Sequence, residues 1–124
     1  MKIQDFQCQE NTKTHIAFLD GMEIWINETD LNEAAVARAE QIVNSYPGKK
    51  MPLAVFCMLS DAFKTCYPDF SAEEIAAKLH MPVLKIDNFG GTFTYCNHEL
   101  DYDHLIDIEF TGIIDKLLSV EIDG

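Results

Sequence analysis

The spacing of apolar residues along the chain changes period twice. From Thr14 to Asn27 it reads THIAFLDGMEIWIN, with Ile16 and Phe18 before an Asp20-Gly21 pair and Ile24 and Ile26 after it. Alternation on both sides of Asp-Gly predicts a hairpin, because a type I′ turn needs positive φ at both central residues. Lys2 to Cys8 is a weaker strand pattern, of the kind found at a sheet edge. From about Leu31 to Tyr46 the period becomes helical. Ala35, Ala39, Ile42, Val43 and Tyr46 fall on one face and Glu33, Arg38, Glu40 and Gln41 outside it, with Thr29 or Asp30 as cap and Pro47-Gly48 as stop.

Pro52 suits a first helical turn, and the segment running on to Tyr67 is apolar almost all round as far as Leu59. A helix without a polar face belongs in the interior, so this one, with Phe56 and Phe63, is expected to be central and the most buried. Ser71 and Glu74 are spaced as a capping box for a third helix, whose apolar face is Ile75, Ala76 and Leu79 and which ends before Pro82. Period two then returns through Leu84 and Ile86, Phe93 and Tyr95, Ile106, Ile108 and Phe110, and Leu118, Val120 and Ile122. Turns are expected at Asn88 to Gly91 and at Thr111-Gly112. The predicted fold is α+β: an antiparallel sheet, made of an N-terminal hairpin and a C-terminal meander, packed on one face by about three helices.

A chain of 124 residues matches one domain with a core of its own, so residues 1–124 are read as a single domain. The N-terminus lacks the apolar stretch of a signal peptide, and the longest apolar run, Leu53 to Leu59, is too short for a bilayer; a soluble cytoplasmic protein is expected. Cys8, Cys57, Cys66 and Cys96 make no CxxC pair and read as reduced, mostly buried thiols. Against 9 Lys and Arg stand 21 Asp and Glu, a net charge of −12 that would repel phosphate backbones and anionic lipid. Nucleic acid and membrane are therefore excluded as partners, and a basic protein is the partner class that the charge fits.

The densest chemistry lies in CNHELDYDHLIDIEF, residues 96 to 110. If Asn97 faces His104 across a hairpin, Phe93, Tyr95, Ile106 and Ile108 share the buried side and Thr92, Thr94, Cys96, Asp107 and Glu109 the wet one. Cys96, His98 and Asp103 would then meet at the wet tip. Three such ligands lack the fourth member and the paired spacing of a structural zinc site, so no metal and no cofactor are expected. There is no GxSxG elbow, Cys57 and Cys66 sit on a buried helix, and DNFGGTF (87–93) lacks the following helix of a phosphate cradle, so no catalytic residue is assigned. SAEEIAAKLHMP (71–82) has the look of a first helix of a helix-turn-helix, but strand follows it instead of a recognition helix.

GTFTYCN at 91 to 97, Tyr102-Asp103-His104 and the ending LIDIEFTGIIDKLLSVEIDG resemble small bacterial proteins grouped as domains of unknown function. Some families of that layout are similar to immunity proteins that neutralise secreted toxins. The resemblance implies a non-catalytic interaction protein and assigns no role to any residue. Two classes of function follow from the sequence. One is an immunity-like module whose acidic sheet face, with Asp107, Glu109, Glu121 and Asp123, meets a basic partner. The other is a small enzyme or metal-binding domain built on the 96 to 104 hairpin.

Overall fold

The computed structural model describes residues 1–124 and holds a seven-stranded sheet whose strands lie in chain order. They are β1 (Gln7–Gln9), β2 (Thr14–Leu19), β3 (Met22–Asn27), β4 (Val83–Ile86), β5 (Gly90–Tyr95), β6 (Leu105–Thr111) and β7 (Lys116–Asp123). Between β3 and β4 come the helices α1 (Glu33–Ser45), α2 (Lys50–Leu59), α3 (Asp61–Cys66) and α4 (Ala72–Leu79). All strand pairs are antiparallel except β3 with β4, which run parallel because the helical segment carries the chain back across the sheet. The fold is α+β, as the periodicity predicts. No helix is long and apolar enough to cross a membrane.

The Asp20-Gly21 turn forms as expected, with φ of 51° and 83°. Its two-residue length has a consequence for the faces. Leu19 must oppose Met22, Ala17 Ile24 and His15 Ile26, so those residues share the helix-covered side. Ile16 and Phe18, whose alternation marks the strand, therefore point the other way, beside Trp25 and Glu23, and Phe18 is 67% exposed. The strand is where the pattern puts it, but Ala17 is the inward residue.

In α1 the expected face is buried, Ala35, Ala39, Ile42, Val43 and Tyr46 included, but the cap is Asn32, whose side chain accepts the Ala35 N–H at 2.8 Å, in place of Thr29 or Asp30. Arg38 turns away from solvent to donate to the Asp87 carbonyl at the end of β4. The helix expected from Pro52 to Tyr67 is broken in two at Ser60, whose extended backbone (ψ 132°) ends α2 and starts α3. The break lets Leu53, Ala54 and Cys57 of α2 and Phe63 of α3 each enter the core, while Met51, Val55 and Leu59 stay exposed on α2. Burial lifts the Cys57 thiol to about 12, so it stays protonated, but it is the one buried cysteine: Cys8, Cys66 and Cys96 are exposed, against the expectation of mostly buried thiols. The capping box at α4 is present, with Ser71 Oγ accepting from Glu74 N at 3.2 Å and Glu74 Oε1 from Ser71 N at 3.1 Å.

The β5–β6 register is the expected one, with Phe93 opposite Ile108 and Tyr95 opposite Ile106. Gly90 and Gly91 sit where strands come closest: a Cβ on Gly90 would collide with the Phe110 carbonyl, and one on Gly91 would lie 2.7 Å from the Lys85 carbonyl. β7 departs from simple alternation. A bulge sets Leu117 opposite Phe110 and Ser119 opposite Glu109, so Leu118 is the extra residue and is 44% exposed, whereas Val120 keeps its inward place. One cluster of 28 buried residues joins both sheet halves to the helices. Within it the Tyr46 and Tyr95 hydroxyls meet at 2.9 Å, satisfying two polar groups that burial would otherwise leave unpaired.

Phe63 is fully buried against Tyr67, with ring centroids 4.9 Å apart, whereas Phe56 is only half-buried. Phe63→Ala should cost about 3 to 5 kcal/mol in urea unfolding and Phe56→Ala clearly less. Leu118→Ser should change stability by under about 1 kcal/mol, whereas a regular β7 with Leu118 facing inward would make it costly.

Candidate functional site

Polar chemistry gathers in two places, the 96–104 loop and the face of the sheet opposite the helices. In the loop, Asp101 is the centre. Its Oδ1 accepts the backbone N–H groups of Asp103 and His104, at 3.2 Å each, and its Oδ2 accepts from Tyr67 Oη at 2.6 Å and from His104 Nδ1 at 2.8 Å. Burial alone would raise this carboxyl. The hydrogen bonds from Tyr67, His104 and the two backbone groups outweigh it and hold Asp101 at about 2. On the other side of the pair, burial and then the Asp101 carboxylate push the Tyr67 phenol well up.

His98 is buried, not at a wet tip with Cys96 and Asp103 as the hairpin pattern predicts. Its Nδ1 accepts the Leu100 N–H at 3.1 Å and its Nε2–H donates to the His104 carbonyl at 2.7 Å, so neither nitrogen is left for a metal. The strands separate after Tyr95 and Ile106, and the freed loop folds inward under Tyr67, whose ring stands edge-on to His98 at 6.3 Å. Glu99 N–H donates to the Lys78 carbonyl at the end of α4 at 2.8 Å, and the Glu99 carboxylate lies 3.3 Å from His80. Cys96 and Asp103 are exposed, and no three His, Cys, Asp or Glu side chains converge in this structure as metal ligands would. The loop is thus tied to the helix layer at two points, Tyr67 just beyond α3 and Lys78 in α4. His104, 37% exposed, keeps Nε2 unpaired while Nδ1 is held by Asp101. His15 is placed elsewhere, inward on β2, its Nε2 buried without a hydrogen-bond partner. Only the first part of the DNFGGTF stretch, Asp87 to Phe89, is a turn, in which Asp87 Oδ1 accepts from the N–H groups of Phe89 and Gly90 at 2.8 Å each; Gly90 to Phe93 already belong to β5.

The second place is the uncovered face. The register sets Ile16, Trp25, Lys85, Thr92, Glu109 and Ser119 side by side across the sheet, and in the adjacent row Phe18, Glu23, Val83, Thr94, Asp107 and Glu121. Asp123 stands on the same face, opposite Leu105. Asp107, Glu109, Glu121 and Asp123, the residues predicted for partner contact, are therefore neighbours on β6 and β7. Three of them, Asp107, Glu109 and Glu121, border a shallow groove of about 230 Å³ with Lys85, Thr92, Thr94 and Ser119 and no apolar residue. Thr94 Oγ1 donates to Asp107 at 2.6 Å. The Asp123 carboxyl is raised, first by the hydrogen bond its protonated form donates to Asp107, then by lost water and the charges of Asp107 and Glu121; Lys85 acts in the opposite sense. Alternation in the sequence finds this acidic half. It misses the apolar half, Ile16, Phe18 and Trp25, because that depends on the parity of the hairpin turn. Lys85 Nζ lies 5.1 Å from the Trp25 ring centre, between the two halves.

Asp101 yields a pH test. Its carboxyl falls from 3.8 to about 2 on folding. Its contribution, on the order of 2 kcal/mol, is therefore full above the unfolded value and lost as the pH drops through about 2. Asp101→Asn should lower stability at neutral pH by a similar amount and flatten the acid limb of the curve, read from urea midpoints between about pH 2 and pH 6. An unchanged acid limb would show that Asp101 is not the group responsible.

Comparison of the chain with protein-family models, with curated proteins and with solved structures finds no match.

Proposed function

We propose that this protein is a non-catalytic, cytoplasmic interaction module of the immunity-protein kind, which binds a basic partner protein through the uncovered face of its sheet. The observation that carries the reading is the collection of Asp107, Glu109, Glu121 and Asp123 on adjacent strands with Lys85 as the cation among them. Like charges set opposite one another, as Asp107 and Glu121 are, weaken a sheet. A face kept acidic at that cost fits a role in drawing in a partner of opposite charge, since complementary fields raise association rates.

The Asp101–His104 pair is the arrangement that favours the enzyme reading, because a carboxylate that orients one ring nitrogen leaves the other to act as a base. Asp101 is, however, also spent on Tyr67 and on two backbone N–H groups, which supports a structural role for the pair.

The test is kinetic. With a partner captured from the native cell, Asp107→Lys combined with Glu109→Lys should leave the fold intact and slow association by about tenfold or more at low salt, with a smaller effect at physiological ionic strength, where the Debye length is roughly 8 Å. Salt-independent association, unchanged in the double variant, would sink the proposal.

A further inference from the structure

The two halves of the uncovered face differ in chemistry, and the sheet fixes the distance between them. Trp25 and Glu109 belong to one cross-strand row, separated by Lys85 and Thr92. Phe18 and Asp107 belong to the next, separated by Glu23, Val83 and Thr94. At about 4.8 Å per strand, the apolar and acidic centres are roughly 14 to 19 Å apart. At the apolar end Phe18 is 67% exposed, and a cleft of about 440 Å³ opens between Ile16 and Trp25 on one side and the polar residues Gln9 to Thr12 and Thr14 on the other. An exposed Phe18 beside the half-buried Ile16 and Trp25 offers an apolar anchor of a partner a surface to settle on.

Lys85 indicates what belongs between them. Its ammonium lies over the Trp25 ring and acts on the Asp123 carboxyl, so the protein's own cation already occupies the boundary between aromatic and acidic groups. Resting on the reading above, we infer that the occupant of this face is a basic amphipathic helix with an apolar anchor seated on Ile16, Phe18 and Trp25 and a lysine or arginine cluster over Asp107, Glu109, Glu121 and Asp123. Lys85 partly fills the cation position until the helix arrives. A helix rises 1.5 Å per residue, so anchor and cations are separated by about nine to thirteen residues, and the helix lies across the strands.

Two synthetic helical peptides test this: one with a lysine cluster alone, and one with the same cluster and a leucine pair about ten residues away. Trp25 is the single tryptophan, so its emission reports docking at the apolar half, and calorimetry gives the affinities. The two-part peptide is expected to bind about tenfold tighter than the basic one and to shift Trp25 emission. Phe18→Ser, at an exposed position, should abolish that gain while leaving the salt dependence of both peptides unchanged. Lys85→Gln should tighten both peptides several-fold, the opposite of Asp107→Asn with Glu109→Gln. Equal binding of the two peptides, with salt dependence intact, would overturn the two-part occupant and leave the acidic-face reading standing. Salt-independent or absent binding of both would overturn that reading with it.

Discussion

Every part of this molecule answers to one asymmetry: a seven-stranded sheet is covered by helices on a single side. Period-two alternation assigns each residue of a strand to one side or the other, and the core can accept only one set. On β5 to β7 the inward set is Phe93, Tyr95, Ile106, Ile108, Phe110 and Val120, all buried, so the intervening acids have only the open side. On β2 and β3 the same rule, applied through a two-residue turn, puts Ala17, Met22, Ile24 and Ile26 inside and leaves Ile16, Phe18 and Trp25 on the open side. The uncovered face is thus half acidic and half aromatic for the same geometric reason. A wet sheet face has no need of aromatic residues, and this is what gives its apolar half functional interest.

What was legible in the sequence was local. The I′ turn, the buried face of α1, the capping box of α4 and the β5–β6 register each depend on residues within a few positions of one another, or on one hairpin. Features that depend on distant packing were harder to see. Ser60-Asp61 inside an apolar run is a helix-start signal, yet only the need to bring Phe63 into the core shows why α2 and α3 must part there. Leu118 alternates correctly with Val120 and still points outward, because the bulge opposite Glu109 and Phe110 shifts it by one residue. The acidic residues of the candidate site were readable from alternation. Its aromatic residues were readable only by counting across the turn at Asp20-Gly21.

The 96–104 loop shows how a cluster of reactive residue types can be structural. Asp101 accepts four hydrogen bonds and His98 uses both ring nitrogens, so the histidines and carboxylates that suggest a metal or a catalytic group instead satisfy backbone groups that the loop leaves behind when it departs from the ladder. Through Tyr67 and the Lys78 carbonyl, the same loop binds the β5–β6 hairpin to α3 and α4. It thereby ties β6, the strand that carries Asp107 and Glu109, to the helix layer.

The parallel pairing of β3 with β4 has a bearing on how the protein reaches its native state. β1 to β3 and β4 to β7 are each built from neighbours in sequence and can form early, whereas Ile24 cannot meet Leu84 until the whole helical segment between them has been gathered in. Closing so long a loop is entropically costly and is repaid by packing the helices on the sheet, so this seam is expected to form after the two sets of neighbouring strands. During synthesis the N-terminal hairpin leaves the ribosome well before its parallel partner exists, with Ile24 and Ile26 uncovered. For that interval the finished protein's best-buried strand edge is its most vulnerable one.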